Sequence, residues 1–300
     1  MKTIRKNKEH VVFIFNPVSG HGNNDRIEKT ILSGLDFKRF SPVILKTAYK
    51  GHGVKIARNA IKSGIKKIVA VGGDGTVNEI ASVMLGRKAV LGIIPNGSGN
   101  GLARSLKIPL KAEEALRLIN NGRKKKIDAG KVNGKFFFCT CGTGFDARVG
   151  KIFDSTKKRG LYNYVKTAVR EFFAYQPKKY SIRIDGKKLK EKAFLVTIAN
   201  APQYGNNAYI APHARIDDGI LDICILRPFP RIKSLLLGLR LFNRTIDRSK
   251  YHQVLGGKKI IIQKKKKIWM HLDGEPVRMK NKIKITVLPK ALHVIVGDSF

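Results

Sequence analysis

The sequence predicts a two-domain protein, with an α/β domain built on a parallel sheet over residues 1–128 and an antiparallel β domain over residues 129–300. Short apolar runs alternate regularly with helical runs in the first part, a pattern typical of parallel sheets covered by helices. Strand runs separated by Asn-Gly and Asp-Gly turn signals dominate the second part. A chain of 300 residues is also long for a single core.

Four strands and four helices are predicted in the first domain, in strict alternation. The strands are the runs HVVFIFNP (10–17), FSPVILKTAY (40–49), KKIVAVGG (66–73) and AVLGIIP (89–95). The helices cover residues 23–35, 53–64, 76–86 and 109–122. The first helix places Ile27, Ile31, Leu32 and Leu35 on one face. Gly64 and Gly122 stand where a glycine commonly ends a helix.

Turn signals divide the second domain into hairpins. Asn133-Gly134 and Asp185-Gly186 each separate two β-prone runs, and further strand runs cover residues 219–229, 258–279 and 282–296. Two helical segments, 159–175 and 230–244, interrupt the strands. The lysine run 264–267 is expected at the end of a hairpin. The last strand is a candidate to return to the first domain.

The charge of the chain is extreme. Sixty Lys and Arg residues against 21 Asp and Glu give a formal net charge of +39. Such a balance predicts an anionic partner: a nucleic acid, a membrane surface or a phosphorylated ligand. The alternative is a cationic surface that only keeps the protein in solution. No apolar run approaches the roughly 20 residues of a membrane span. We therefore expect a cytoplasmic protein that is peripheral at the inner membrane face.

A glycine-rich loop follows the third predicted strand. Three of the four residues from Gly72 to Gly75 are glycines, and the fourth is Asp74. Bare main-chain N–H groups between a strand and a helix are typical of phosphate sites. A carboxylate beside a phosphate needs a cation between them, so the loop predicts a nucleotide with Mg²⁺. The alternative is an ordinary glycine-rich turn with Asp74 as the helix N-cap.

Two more glycine-rich loops follow predicted strands. They are PNGSGNGLARSL (95–106) and NPVSGHG (16–22). Loops at the carboxyl ends of strands in one parallel sheet converge on one crevice, where such sheets bind ligands. The loop 95–106 is not the dinucleotide fingerprint, because Leu102 stands where the third glycine of that motif would be. The P-loop motif G-x-x-x-x-G-K-[ST] does not occur in the sequence either.

Acidic residues are few and several lie in glycine-rich turns. Asp273 and Glu275 flank Gly274 in HLDGEPV (271–277), and Asp217-Asp218-Gly219 has a similar composition. Asp128 and Asp146 also lie close to glycines. An Asp-Gly β-turn alone needs no function. In so basic a chain, however, this distribution favours a metal or acid–base role.

Five of these segments occur together in one known family. The Gly72–Glu79 loop, the Pro95–Arg104 loop, DAGKVNGKFFF…GTGFDA, IAPHARIDDGILD and LDGEP follow in that order. The sequence therefore resembles the diacylglycerol kinase catalytic-domain family, which includes bacterial lipid kinases and sphingosine kinases. The resemblance implies a first domain similar to those of NAD kinases and phosphofructokinases, a second domain similar to a β-sandwich, and ATP and Mg²⁺ as cofactors.

The resemblance also implies residue roles. The nucleotide contacts it implies are Asn16, Thr47, Gly72, Gly73, Asp74, Gly75, Thr76, Val77, Asn78 and Ser98. In the acidic network that it implies around magnesium and the lipid headgroup, Glu275 is the general base, and Asp273, Asp74 and Asp128 are further carboxylates. The neighbouring Asp273 is the alternative residue for removing the proton. A structural Mg²⁺ site is implied at Arg215, Asp218 and Ile220, partly through main-chain carbonyl groups, which tolerate changes of side chain.

The chain departs from the bacterial lipid kinases at Gly101, where they usually carry Asp. The glycine is closer to the sphingosine-kinase form, so diacylglycerol, phosphatidylglycerol and a sphingoid base all remain candidate acceptors. We expect an ATP- and Mg²⁺-dependent lipid kinase that binds a lipid substrate and an anionic membrane surface; a homodimer is compatible with the sequence. The alternatives are a kinase of the NAD-kinase type and a nucleic-acid binder. No nucleic acid is expected, because the lysines are scattered and no reader motif occurs.

The segment 230–244 has two interpretations. Its leucines interleave with arginines, as in helices that lie in a membrane interface. The alternative is a helix that packs its leucines into the core and presents a cationic outer face.

Overall fold

The computed structural model describes residues 8–20, 24–154, 161–264, 267–298 and 300. The chain forms two compact units. Unit 1 contains residues 1–126 and 292–300, and unit 2 contains residues 127–291. Predicted features at residues 21–23, 155–160 and 265–266 lie outside the described residues.

The sheet of unit 1 is parallel, as predicted. Its strands are β1 (Glu9–Phe15), β2 (Phe40–Lys46), β3 (Lys67–Gly72) and β4 (Val90–Pro95). They lie in the order β2-β1-β3-β4, with all pairs parallel. The final residues of the last strand, β16 (Lys282–Val296), pair in parallel with β4 through His293 and Val294. β3 and β4 are buried throughout, as expected of central parallel strands.

Helices connect these strands. They are α1 (Asn24–Gly34), α2 (His52–Lys62), α3 (Asp74–Met84), α4 (Gly101–Ser105) and α5 (Ala112–Asn121). Four of the five correspond to predicted helices, whereas the short α4 was not predicted. Gly64 follows α2 with a left-handed φ of 79°, which explains the glycine at that position.

Unit 2 contains a six-stranded antiparallel sheet. Its strands are β7 (Thr140–Gly144), β10 (Leu195–Ala199), β11 (Leu221–Leu226), β12 (His252–Gly257), β14 (Ile268–Leu272) and β15 (Glu275–Met279). Their order is β12-β11-β10-β7-β14-β15.

A second set of strands in unit 2 contains both predicted hairpins. It consists of β5 (Arg123–Val132), β6 (Lys135–Phe137), β8 (Lys178–Ile184), β9 (Lys187–Ala193), β13 (Lys259–Gln263) and the first part of β16. The turns at Asn133-Gly134 and Asp185-Gly186 join β5 to β6 and β8 to β9, both antiparallel. Both turns have left-handed residues, which Asn, Asp and Gly adopt more readily than other residues.

The core of unit 2 lies between these two sets of strands. Ile198 and Met270 from the six-stranded sheet pack in one buried cluster with Ile182, Ile262 and Ile283 from the second set. This packing of sheet on sheet confirms the antiparallel, sandwich-like domain. Fully burying each such side chain contributes about 1.5–3 kcal/mol.

Three helices complete unit 2. They are α6 (Phe145–Asp154), α7 (Leu161–Ala174) and α8 (Ser234–Phe242), and a 3₁₀ turn at Arg231–Lys233 precedes α8. α6 begins within a segment that the sequence presented as β-prone. Phe172 of α7 packs with Phe145 and Phe194 in an aromatic cluster, which holds α6 and α7 against the sheet.

Candidate active site

The three glycine-rich loops meet at one edge of the unit 1 sheet. β1, β3 and β4 are parallel neighbours, so the loops that follow them leave from the same edge. Asn16 Nδ2, after β1, donates to Thr76 Oγ1 in the first turn of α3, at 2.9 Å. Asn96 Nδ2, after β4, donates to the main-chain oxygen of Ser19 at 3.1 Å. The predicted convergence of the loops is therefore confirmed within unit 1.

Glycine is required where the loops touch. A Cβ atom added at Gly97 would lie 2.6 Å from the Cα of Gly73, closer than real Cβ contacts allow. Gly20 has a left-handed φ of 76°, and a Cβ there would collide with the side chain of Asn96. The glycines thus permit the loops to approach one another.

The first turn of α3 presents its N–H groups from a bare cap. The N-cap is Gly73, in extended conformation and without a side-chain capping bond. Asp74 is the first helical residue, so the alternative in which Asp74 caps the helix is wrong. The first N–H groups of a helix lack acceptors inside the helix and favour an anion. The loop geometry is therefore suited to a phosphate group.

Asp74 links two of the loops. Its Oδ1 accepts a hydrogen bond of 2.6 Å from the N–H of Gly101, at the start of α4. A Cβ added at Gly99 would lie 2.7 Å from its Oδ2, so the carboxylate faces the second glycine loop. The carboxylate is half-buried. A single carboxylate thus sits among the glycine loops, where a cation beside a phosphate would be held.

The other predicted nucleotide contacts differ in what they present. Gly72 and Thr76 are buried, Gly75 and Asn78 are half-buried, and Ser98 is exposed. Thr47 follows β2 and donates its N–H to Phe15 O at 2.8 Å. Val77 is a correction: its side chain is 5% exposed in the core and its N–H donates to Gly73 O, so it supports α3 rather than contacting a ligand.

Glu79 was not predicted to have a role beyond its place in the motif. Its Oε1 accepts the N–H of Gly51 at 2.8 Å, which fixes the loop before α2. A Cβ at Gly53 would lie 3.1 Å from Oε2 of the same residue. Glu79 therefore positions the start of α2 within unit 1.

In unit 2, Asp273 anchors a loop. It lies in the tight turn between β14 and β15, with a left-handed φ of 47°. Its two oxygens accept the N–H groups of Phe138, Cys139 and Thr140, at 2.8, 2.8 and 3.0 Å. Because three donors engage this carboxylate, its geometry favours an anchoring role over proton abstraction. Glu275, two residues later, begins β15 and is half-buried.

Asp128 is also engaged by the main chain. It is fully buried, and its two oxygens accept the N–H groups of Gly219 and Lys290, each at 2.6 Å. Buried Asn200 donates to the main-chain oxygens of Asp128 and Phe138, at 3.1 and 2.7 Å. This geometry favours a structural role for Asp128: it holds the loop that contains Asp218.

The implied metal residues lie on that loop. Asp218 Oδ1 accepts the N–H of Ile220 at 3.0 Å, and the exposed Arg215 side chain lies 3.6 Å from Asp217. Burial, and then the nearby Asp218 carboxylate, raise the pKa of Asp222. The described residues contain no group of three or more His, Cys, Asp or Glu arranged around a metal. A cation here would therefore rely on Asp218, main-chain carbonyls and water, which are ligands that Mg²⁺ accepts.

A buried polar network surrounds Asp146. Its Oδ2 accepts from Thr197 Oγ1 at 2.8 Å and lies 3.1 Å from Nε2 of His271. Tyr204 OH lies 2.7 Å from Thr197 Oγ1. A Cβ at Gly142 would lie 2.5 Å from the Asp146 carboxylate, which explains that glycine. The sequence indicated Asp146 alone, because its partners are 51 to 125 residues away along the chain.

Comparisons with known proteins are consistent with this geometry. Residues 10–132 match the diacylglycerol kinase catalytic domain, and residues 139–296 match the YegS C-terminal NAD kinase beta sandwich-like domain. The chain is 31% identical over 251 residues to "Probable lipid kinase YegS-like" of Chromohalobacter salexigens, covering 81% of this chain and 79% of that protein. It is 30% identical over 252 residues to "Probable lipid kinase YegS" of Escherichia coli O127:H6, covering 81% and 82%.

The fold is shared with a solved structure. A crystal structure of a diacylglycerol kinase from Bacillus anthracis superposes with a TM-score of 0.74, over 98% of this chain and 99% of that one, at 22% identity. This likeness concerns the fold, whereas the sequence matches above carry the relationship. The chain belongs to the diacylglycerol kinase family of lipid kinases, with a C-terminal domain of the YegS type.

Proposed function

We propose that this lipid kinase uses ATP and Mg²⁺ and transfers the γ-phosphoryl group to a lipid hydroxyl. The convergence of three glycine-rich loops on the bare N-terminus of α3 carries this proposal. Phosphoryl transfer depends mainly on positioning and on stabilisation of charge. Main-chain N–H groups and a carboxylate that can hold a cation supply both.

The nucleotide would bind through main-chain groups of unit 1. The loops at Gly72–Thr76 and Pro95–Gly101 would cradle the phosphates, and Asn16 holds Thr76 in place. Asp74 would contribute a carboxylate oxygen to Mg²⁺, which neutralises phosphate charge when bound. The bond from Gly101 to Asp74 fixes that carboxylate before the ligand arrives.

Glu275 would act as the general base. Glu275 follows the turn that Asp273 anchors, so this turn sets the position of Glu275. The carboxylate of Glu275 is then the candidate for proton abstraction. It would take the proton of the acceptor hydroxyl as the phosphoryl group arrives. Asp273 and Asp128 would then have positioning roles. Asp273 holds the Phe138–Thr140 segment, and Asp128 holds the loop that contains Asp218.

We also propose a membrane-docking face on unit 2, which would make the enzyme peripheral at the cytoplasmic side of the inner membrane. No helix in the described parts of the chain is long and apolar enough to cross a bilayer. Leu237 is the buried residue of α8, whereas Ile232, Leu235 and Leu239 are 86, 74 and 53% exposed. These exposed apolar side chains support the interfacial interpretation over a helix that packs its leucines into the core.

The docking face continues onto α7. Arg231 Nη2 donates to the main-chain oxygen of Phe173 at 3.1 Å, and Phe173 is 59% exposed. Lys233 and Arg240 flank the exposed leucines. Exposed apolar side chains between cations are complementary to an anionic lipid surface, where each nearby cation contributes about 1 kcal/mol. An anionic bilayer is therefore the partner that this face fits.

Vesicle sedimentation tests the docking face. Binding should require anionic lipid and weaken with salt, because the Debye length falls from about 10 Å at 0.1 M to about 3 Å at 1 M. The single variants Leu235→Ser and Leu239→Ser should each weaken vesicle binding about tenfold, because each removes an apolar side chain that would be buried in the lipid. Leu32→Ser, at a similarly exposed leucine of unit 1, is the control. Equal losses in all three variants would overturn the assignment of this face.

A labelled-ATP assay tests the function. Purified protein is incubated with γ-labelled ATP, Mg²⁺ and separate vesicles containing diacylglycerol, phosphatidylglycerol or sphingosine, and with NAD in solution. We expect label in a lipid band and none when Mg²⁺ is chelated. Label in NAD with no labelled lipid would favour a soluble-substrate kinase and contradict the proposal.

A further inference from the structure

Unit 2 contains a cavity that the glycine loops do not explain. Its volume is about 1430 Å³, and it is lined by residues of β7, α6, β8, β9 and the facing ends of β13 and β14. Every lining residue belongs to unit 2. The candidate phosphate loops belong to unit 1, so none of their residues lines this cavity.

The lining is strongly cationic. Eight of its side chains are Lys or Arg, and one, Glu191, is acidic. Glu191 is already paired with Arg227 at 3.0 Å, and the lining arginine, Arg148, is paired with Glu171 at 2.8 Å. Within the described part of the chain, the remaining seven lysines have no ion-pair partner. The cavity therefore has a large positive charge that the protein itself does not neutralise.

Two of these lysines are partly removed from water. Burial lowers the pKa of Lys178, with a smaller contribution from nearby Arg148. Burial, and then the charge of Lys178, lower the pKa of Lys264 to about 8. A bound anion would relieve both the loss of hydration and the mutual repulsion. This arrangement is unfavourable without a ligand, and an anion is the ligand that improves it.

Apolar and aromatic groups line the same cavity. Lys264 Nζ lies 4.2 Å from the ring centre of Tyr180, and Lys151 Nζ lies 4.6 Å from that of Trp269. Ile152 is half-buried and Trp269 is 37% exposed, whereas Tyr180 and Ile268 are buried lining residues that also belong to the core of unit 2. Cations beside aromatic and aliphatic groups match a molecule that has both a charged head and an apolar part.

We propose that this cavity binds the phosphate group of an anionic amphiphile, with the lysines on the phosphate and with Trp269 and Ile152 on the apolar part. The same cations would repel a protonated sphingoid base, and a neutral diglyceride has no charge for them to bind. The inference concerns binding alone and does not require the proposed kinase activity.

The single tryptophan of the chain reports on this cavity directly. Short-chain phosphatidylglycerol, kept below its micelle concentration, is titrated into the full protein without ATP while Trp269 fluorescence is recorded. Calorimetry on the same samples detects binding that leaves the fluorescence unchanged. We expect a saturable change of Trp269 fluorescence with phosphatidylglycerol and at least tenfold weaker binding of glycerol 3-phosphate and of inorganic phosphate. Short-chain diacylglycerol, which has no charge for these lysines, should leave the fluorescence unchanged even if it binds elsewhere as an acceptor.

Charge-removing variants locate the site. Lys264→Gln and Lys178→Gln should each raise the Kd for phosphatidylglycerol about fivefold, the effect of one cation near an anionic lipid. Lys187 lies on the β8–β9 hairpin, as Lys178 does, but outside the cavity lining. Lys187→Gln should therefore leave the Kd unchanged. Equal effects of all three variants, or an equal Trp269 fluorescence response to diacylglycerol, would overturn the proposal. Equal affinity for inorganic phosphate would show a free-phosphate site instead and would also overturn it.

Discussion

Replacing Asp74 by Asn separates the charge of this residue from its structural contact. Asn keeps an oxygen that can accept the 2.6 Å hydrogen bond from Gly101 N–H, and it keeps the shape of the side chain. What is lost is the negative charge. A hydrogen bond to a charged acceptor contributes about 1.5–3 kcal/mol and one to a neutral acceptor about 0.5–1.5 kcal/mol. The free energy of unfolding should therefore fall by only about 1 kcal/mol, and by less where solvent screens the half-buried group.

The effect on turnover should be much larger. The variant removes the charge that would hold the cation beside the phosphates in the proposed mechanism. Removing one electrostatic stabiliser of a transition state commonly lowers kcat by about 10²–10³-fold. We expect a loss of at least this size at saturating ATP and Mg²⁺.

The assay pairs turnover with urea unfolding, using Asp36→Asn as the control. Asp36 is also a half-buried carboxylate of unit 1 that accepts a main-chain N–H, from Lys38 at 3.0 Å, but it lies in the connection between α1 and β2 and not in a glycine loop. That variant should keep wild-type kcat. The reasoning is refuted if Asp74→Asn retains wild-type kcat, or if its activity loss is matched by a comparable loss of folded protein.

Three further predictions follow from the remaining residues. Glu275→Gln should lower kcat by about 10²–10⁴-fold with ATP affinity unchanged, as for a general base. Asp273→Asn should instead lower the free energy of unfolding by about 1–3 kcal/mol, because an amide group would face main-chain donors. Kinetics and urea unfolding of both variants decide between the two roles. Gly101→Asp would place a second carboxylate beside Asp74, so kcat/KM should fall on every lipid while ATP still binds; equal kcat/KM to wild type would contradict this. Burial lowers the pKa of His252 to about 4, so its contribution to stability is complete above pH 6.5 and is lost as the pH falls towards 4, by up to about 1.4 kcal/mol per pH unit. Urea unfolding at pH 7 and 5 should show a smaller acid loss for His252→Gln than for wild type, with exposed His213→Gln as the control; identical acid losses would disprove the assignment.

Much of the fold was accessible from local sequence patterns. Continuous apolar runs such as Val11–Phe15 predicted buried parallel strands, and the Asn-Gly and Asp-Gly pairs predicted the two hairpins where they occur. The short α4 was missed because five residues carry no helical period. α6 was missed because its start, after Gly144, depends on tertiary contacts with Phe194 and Leu195 rather than on local propensity.

Some features of the candidate site were likewise predictable from local sequence patterns, and others were not. The glycine loops were predictable because their spacing encodes close main-chain approach, and Asp74 was recognisable inside them. The engagement of Asp128 by Gly219 and Lys290 was not predictable, since these donors lie 91 and 162 residues away. The direction of the α8 leucines was equally inaccessible, because the helical period is the same whether the apolar face points to the core or to solvent.

Identifying the phosphorylated product would show whether this protein transfers the phosphoryl group of ATP to a lipid. The purified protein is incubated with ATP, Mg²⁺ and anionic vesicles, and the extracted lipid is analysed by mass spectrometry while ADP is quantified. We expect a lipid carrying one added phosphoryl group, formed in one-to-one ratio with ADP and absent with Asp74→Asn. ADP release without any phosphorylated lipid, or a phosphorylated lipid formed equally well by Asp74→Asn, would contradict it.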